Sequence, residues 1–161
     1  DPDGDAIYAQ ERVGLNGKPF KLYKFRSMHM DAEALNTPQL YAGEDDPRLT
    51  EVGKFIRAHH LDEFPQLWNV LKGEMSFVGP RPERQYYIDQ IMEHNPDYAK
   101  LYVLRPGLFS YATLYNGYTD TMEKMLKRLD YDLQYLEDYS FWTDIKIIYL
   151  TSISIIFGKK F

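Results

Sequence analysis

The chain has 161 residues, 44% of them hydrophobic and 16% aromatic, enough to bury a core within one domain. A formal net charge of −5 excludes general nucleic-acid binding, which draws most of its affinity from a basic face. There is no cysteine, so disulfides, thiolate zinc sites and cysteine nucleophiles are excluded together, and no run approaches the roughly 20 apolar residues of a bilayer span.

In chain order, Asn16-Gly17 between mixed apolar and polar runs predicts a β-hairpin from Ile7 to Tyr23. Five cations, Arg12, Lys18, Lys21, Lys24 and Arg26, fall on or beside it with no acid after Arg12, a local basic segment that suits a specific anionic ligand. Met30 to Leu35 reads as a short helix and Asn36 to Thr50 as an exposed loop. A helix follows from Glu51 to about Ala58. Phe64, Leu67, Trp68 and Leu71 then recur at helical spacing, with Pro65 in the first turn and Gly73 as the residue just past the helix end.

Met75 to Val78 is a short apolar run, and Gly79 to Glu83 (GPRPE) is a rigid turn before a helix from Glu83 to His94. After the turn Arg105-Pro106-Gly107, the aromatic stretch LFSYATLYNGY reads as strand or loop. From Thr121 onward, Met122, Met125, Leu126, Leu129, Leu133 and Leu136 hold helical spacing. The last segment, Phe141 to Phe157, is apolar nearly all round and ends in Gly158-Lys159-Lys160. A buried core helix and a helix lying in a membrane interface are both open to it. The expected fold is α+β and mainly helical, with a small antiparallel hairpin near the N-terminus and amphipathic helices around one core near Trp68 and Phe77.

The chemistry concentrates in LDEFPQLWNVL, Leu61 to Leu71, where Asp62 and Glu63 head an otherwise apolar helix. Asp62 could simply cap that helix, which stabilises by about 1 kcal/mol. Lys24, Arg26, Arg57 and Arg81, however, also stand near turns or element ends. Four cations with a carboxylate pair suit a phosphate site: arginine donates two bonds to phosphoryl oxygens, a helix N-terminus adds oriented N–H groups, and paired carboxylates can hold Mg²⁺. A carboxylate there either binds the metal or attacks phosphorus to form an acyl phosphate, and spacing does not choose between them.

Three long stretches, QERVGLNGKPFKLYKFRSMHMDAE (Gln10 to Glu33), LDEFPQLWNVLKGEMSFVGPRPE (Leu61 to Glu83) and DYSFWTDIKIIYLT (Asp138 to Thr151), resemble the bacterial sugar transferase family, the monotopic polyprenyl-phosphate phosphoglycosyl transferases. The likeness runs in order over nearly the whole chain. It implies a single catalytic domain over residues 1–161 that moves a sugar 1-phosphate from a UDP-sugar to undecaprenyl phosphate with Mg²⁺. UMP is released, in the first step of surface-glycan assembly. It further implies a covalent phosphosugar on Asp62 with Glu63 as dyad partner, both carboxylates as metal ligands, and Lys24, Arg26, Arg57 and Arg81 on the substrate phosphates. The implied setting is the cytoplasmic face of the bacterial inner membrane, with no nucleic-acid partner and with homo-oligomerisation open. An N-terminal membrane re-entrant helix typical of the family is expected to lie outside this chain.

Two departures from the family pattern stand out. Members read close to GITGWAQVNGR where this chain has GLFSYATLYNGYT, which leaves the sugar open, and His59-His60 precede the dyad in place of small or hydroxyl residues. Two other functions remain for the same residues: a Mg²⁺-dependent nucleotide-sugar phosphohydrolase, and a non-catalytic module binding lipid phosphate or partner enzymes.

Overall fold

A computed structural model describes residues 4–32, 38, 40, 46–116 and 119–156. The hairpin forms as expected, with β1 (Ile7–Val13) antiparallel to β2 (Pro19–Phe25) and Tyr8 opposite Lys24. Its connection is longer than a two-residue loop. Gly14 N–H donates to the Lys18 carbonyl, and Asn16 and Gly17 take left-handed φ of 58° and 70°, the geometry for which the Asn-Gly pair is suited. In a strand alternate side chains share a face, so Tyr8, Gln10 and Arg12 line one cavity with Leu22 and Lys24.

Helix α1 (Glu51–Ala58) matches the expected bounds and is capped by Thr50, whose hydroxyl accepts from Gly53 N–H at 2.9 Å. Gly53 is required by close approach: a Cβ there would stand 1.8 Å from the Ser27 carbonyl oxygen, so the chain after β2 lies directly on α1. Helix α2 (Gln66–Leu71) is shorter than expected and is preceded by a separate 3-10 turn, Leu61–Glu63. Its N-cap is Pro65 with no side-chain cap bond, so Asp62 does not cap it. Gly73 follows at φ 77° as expected of a residue just past a helix end.

Strand β3 (Ser76–Val78) pairs in parallel with β4 (Gly107–Phe109), an association between the two proline turns that local sequence does not reveal. Gly79 makes it possible, since a Cβ there would meet the Arg105 carbonyl oxygen at 2.4 Å. Helix α3 (Gln85–His94) begins two residues later than expected and leads into an unanticipated 3-10 segment, Pro96–Val103. The stretch expected as strand or loop splits into β4 and helix α4 (Tyr111–Asn116), with Gly117 and Tyr118 outside the described residues. Helices α5 (Met122–Glu137) and α6 (Phe141–Ile156) complete the chain. The helix proposed for Met30 to Leu35 falls partly outside the described residues, as do much of the Asn36 to Thr50 loop and all of Gly158 to Lys160. Within that loop Asp46 is buried rather than exposed, accepting two bonds from the Arg48 guanidinium.

The apolar interior is not centred on Trp68 and Phe77, which are 58% and 50% exposed. It consists of two clusters. One joins Val13 of β1 to Tyr87, Ile88 and Ile91 of α3, Tyr98 and Leu101 of the 3-10 segment, and Met125 and Leu129 of α5. The other gathers Val78, Tyr135 and Ile147, bringing α6 against β3 and α5. Full burial of each Ile or Leu contributes about 1.5–3 kcal/mol, so Ile88 and Ile91 anchor the first cluster. Helix α6 is neither wholly buried nor wholly interfacial: Ile147 and Thr151 are buried, while Phe141, Trp142 and Tyr149 are exposed. The Tyr135 hydroxyl donates to Asp144 at 2.6 Å and pins α6 to α5.

Candidate active site

Four elements converge on the Asp62 turn. The buried Asn69 of α2 acts as a clamp on β2: its side-chain oxygen accepts from Tyr23 N–H at 3.2 Å, and its amide nitrogen donates to the Lys21 carbonyl at 2.7 Å. An amide side chain thereby supplies the strand with hydrogen bonds that a third strand would otherwise give, and it holds Lys24 over the dyad. Helix α1 delivers Arg57, and His60, at φ 54°, reverses the chain into the turn. Arg81 arrives between two prolines, with the Pro80 carbonyl tied to Gly107 N–H at 2.9 Å.

The two carboxylates are held differently. Glu63 Oε1 accepts from Lys24 Nζ at 3.0 Å and from Arg81 Nη2 at 2.8 Å. Burial opposes ionisation of Glu63, but Arg81 and Lys24 together outweigh it and hold its carboxyl well below the usual range. Asp62 is 4% exposed, and its two ion pairs, from Lys24 Nζ and Arg57 Nε to Oδ2, are both 3.9 Å, beyond hydrogen-bond length. Burial pushes the Asp62 carboxyl up, Lys24 opposes the shift, and Glu63 reinforces it. Burial also lowers the Lys24 ammonium, against the pull of Glu63. Glu63 is thus an anchored anion, whereas Asp62 is an incompletely compensated one, poised for an electrophile or a cation.

Both carboxylates line a cavity of about 890 Å³, within the range of roughly 300–1,000 Å³ usual for ligand sites. Lys24, Arg57 and Arg81 share it with them, so five of the six residues singled out in the sequence form one ion-paired constellation. The sixth, Arg26, lines the same cavity but is held elsewhere, donating to the Asp5 carbonyl at 2.7 Å and lying 5.7 Å from the Tyr8 ring centre. His59 and His60 also line it, His59 with Nδ1 2.8 Å from the Phe55 carbonyl oxygen. From the segment that departs from the family pattern, Leu108, Phe109, Thr113 and Thr119 reach the cavity wall.

Among the described residues no three metal-ligating side chains cluster, and the adjacent carboxylates of Asp62 and Glu63 are the pair in this cavity that could hold a metal. That suits Mg²⁺, which is ordinarily held by one or two carboxylates with substrate phosphates and water completing its shell. The under-compensated Asp62 is the observation that favours a cation.

Sequence reasoning missed a second buried ion network on the wall of the same cavity. Glu83 accepts from Arg12 Nη1 at 2.7 Å on Oε1 and from Arg128 Nη2 on Oε2, while Arg128 Nη1 donates to Thr119 at 2.9 Å. Burial opposes the charge on Glu83, but Arg128 and Arg12 prevail and hold its carboxyl down at about 2. The signal was present in α5: its buried stripe runs Met125, Arg128, Leu129, Asp132 and Tyr135, so two charged residues occupy inward positions.

The family model for bacterial sugar transferases matches residues 1–158. The chain is 44% identical over 151 residues to UDP-glucose:undecaprenyl-phosphate glucose-1-phosphate transferase of Escherichia coli K12, covering 92% of this chain and 32% of that protein. It is 37% identical over 155 residues to the UDP-N-acetylgalactosamine-undecaprenyl-phosphate N-acetylgalactosaminephosphotransferase of Aeromonas hydrophila, covering 96% and 36%. To galactosyl transferase CpsE of Streptococcus agalactiae it is 40% identical over 166 residues, covering 96% and 35%. The chain thus spans about a third of the length of these relatives. With a family match over almost its entire length, this chain belongs to the bacterial sugar transferases.

Proposed function

We propose that this chain is the catalytic domain of an enzyme that transfers a sugar 1-phosphate from a UDP-sugar to undecaprenyl phosphate, through a covalent phosphosugar on Asp62. The observation that carries the reading is the asymmetry of the dyad: Glu63 is committed to Lys24 and Arg81 at hydrogen-bond length, while the Asp62 ion pairs stand at 3.9 Å. A nucleophilic carboxylate needs accessible lone pairs and nearby positive charge that does not consume them. Asp62 has both.

In the first step an Asp62 oxygen attacks the sugar-bearing phosphorus. The bond from that phosphorus to the bridging oxygen breaks, and UMP leaves with the electron pair. In the second step an oxygen of undecaprenyl phosphate attacks the same phosphorus, the acyl phosphate bond breaks, and the Asp62 carboxylate returns. Lys24, Arg57 and Arg81 stabilise charge on the phosphoryl oxygens, and Glu63 keeps two of those cations in place. Mg²⁺, held by Asp62 and Glu63, would supply neutralisation of the diphosphate.

The lipid substrate must arrive from a membrane, and the surface around the site suits one. Phe64, Leu67 and Phe77 are exposed yet line the cavity, and Val52, Phe55, Trp68 and Leu71 extend the apolar surface along α1 and α2. Such a stripe beside a charged cleft is the pattern of a helix lying in an interface. It is α1 and α2 that border the site in this way. No helix among the described residues is long and apolar enough to cross a membrane. The setting we assign is the cytoplasmic face of the bacterial inner membrane.

The test is UMP release by the full-length protein from a panel of UDP-sugars, with Mg²⁺ and detergent-solubilised undecaprenyl phosphate, beside Asp62→Asn. Lipid-dependent release from one donor, reduced by at least about a thousandfold in the variant, is expected of a nucleophile. Turnover beyond one equivalent of UMP per enzyme without lipid would instead make the protein a phosphohydrolase. Undiminished release by Asp62→Asn would refute covalent catalysis at this residue.

A further inference from the structure

Arg128 donates from Nη1 to the Thr119 hydroxyl oxygen at 2.9 Å and from Nη2 to Glu83, and all three residues line the cavity that holds the dyad. A guanidinium carries donors only, so the Thr119 oxygen is the acceptor and its own proton is left over. That proton meets no acceptor among the described residues. A hydroxyl that accepts from a buried cation is polarised into a stronger donor. Thr119 thus offers one directed O–H to an occupant of the cavity.

The wall behind Thr119 is fixed. Glu83 Oε1 accepts from Arg12 at 2.7 Å and from Arg84 N–H at 3.1 Å, and Arg12 Nη2 is taken by Gln10 at 2.6 Å. With Arg12 and Arg128 committed to protein partners, this wall presents a neutral hydroxyl where the dyad is surrounded by cations. The two regions adjoin, because Glu83 follows Arg81 by two residues, at most about 7 Å between Cα atoms. Thr119 also ends the segment from Gly107 that departs from the family pattern. The Escherichia coli and Aeromonas hydrophila relatives are named for UDP-glucose and UDP-N-acetylgalactosamine, with the nucleotide shared and the sugar different. A wall residue in a departing segment fits the part of the donor that varies.

We infer that Thr119 is a specificity-determining residue that donates a hydrogen bond to an oxygen of the donor sugar, either a hydroxyl or an acetamido carbonyl, with Arg128 fixing the direction of its hydroxyl. The inference rests on the transferase reading for the class of donor, but the contact can be tested apart from turnover.

The experiment uses full-length protein carrying Asp62→Asn, so that the proposed nucleophile is absent, with Thr119 intact or replaced as Thr119→Val or Thr119→Ser. Calorimetry with Mg²⁺ measures binding of UDP-glucose, UDP-galactose, UDP-N-acetylglucosamine, UDP-N-acetylgalactosamine and UDP. Valine keeps the shape of threonine without the hydroxyl. It is expected to weaken the tightest-bound UDP-sugar by about tenfold and UDP by less than about twofold, and serine restores the affinity. Analogues of that donor lacking one hydroxyl or the acetamido group locate the contact. One of them binds Thr119 protein about tenfold more weakly than its parent, and the valine substitution costs that analogue nothing further. With Asp62 intact, Thr119→Val raises KM for the preferred donor by about tenfold in UMP release, with kcat changed far less.

Unchanged affinity for every UDP-sugar in Thr119→Val would overturn the inference. An equal loss for UDP would do so too, by placing the hydroxyl on the nucleotide, as would additive losses for every analogue, the mark of a displaced wall. Should Thr119→Val not fold, Thr119→Ala decides by the same comparison. A protein that shows the expected binding pattern but, with Asp62 intact, releases no UMP from any donor would sink the transferase reading and leave the Thr119 contact standing.

Discussion

Replacing Glu83 by glutamine removes the negative charge that Arg12 and Arg128 share. The neutral amide accepts more weakly and adds two donors beside two guanidinium groups. Holding the Glu83 carboxyl at about 2, against an ordinary 4.5, corresponds to roughly 3 kcal/mol at about 1.4 kcal/mol per pH unit. Breaking one partner out of a buried pair costs about 3–5 kcal/mol in general. Arg128 lies one helical turn from Asp132 and can turn toward it, so about 3 kcal/mol is expected here. For a chain of this size that lowers Tm by about 6–12 °C. Thermal unfolding as a function of pH gives a second check. Because the folded-state value lies below the unfolded one, the Glu83 contribution is present above about pH 4.5 and is lost as pH falls toward about 2. Glu83→Gln removes that acid dependence. A Tm within about 2 °C of wild type at pH 7 would refute the assignment of Glu83 as the keystone of this network.

Asp132 has the opposite sign. Burial pushes its carboxyl up to about 7 from an ordinary 3.8, so the stability it confers is present below about pH 3.8 and lost as pH rises through about 7. Asp132→Asn should therefore gain on wild type in unfolding free energy across that window. Gly53→Ala drives a Cβ into the Ser27 carbonyl at 1.8 Å, and urea unfolding should show a loss of about 2 kcal/mol or more as α1 lifts from the chain after β2. Trp68→Glu with Leu71→Glu places two charges on exposed positions, so Tm should change little while flotation with anionic vesicles falls by about tenfold. Unchanged flotation would refute α1 and α2 as the membrane face.

Much of this site could be read from the chain because its residues lie in short, information-rich segments. Lys24 on a strand, Arg57 at a helix end, the Asp62-Glu63 pair and Arg81 between prolines are marked by residue type and turn chemistry, which act locally. The Asn-Gly turn, the Thr121 start of α5 and Gly73 after α2 follow from the same local rules, and the structure has each of them in place. Periodicity also found α2 and α5, because a helix repeats every 3.6 residues whatever it packs against.

Periodicity does not say what an apolar stripe faces. Phe64, Leu67, Trp68 and Leu71 carry a regular pattern, but all four are exposed, because the pattern is the same whatever the apolar face meets. On α5 the inward face is turned toward Arg128 and Asp132, since buried charges are tolerated where partners come from elsewhere in the chain. The partner of Arg128 is Glu83, 45 residues away, and no local preference joins them. The parallel pairing of β3 with β4 and the Asn69 clamp on β2 are likewise long-range hydrogen bonds. Sequence alone determined which charged groups stand near turns and element ends; the tertiary structure decided that Glu63 is anchored at hydrogen-bond length while the Asp62 ion pairs stand at 3.9 Å, because that distinction is set by distances across four elements of the fold.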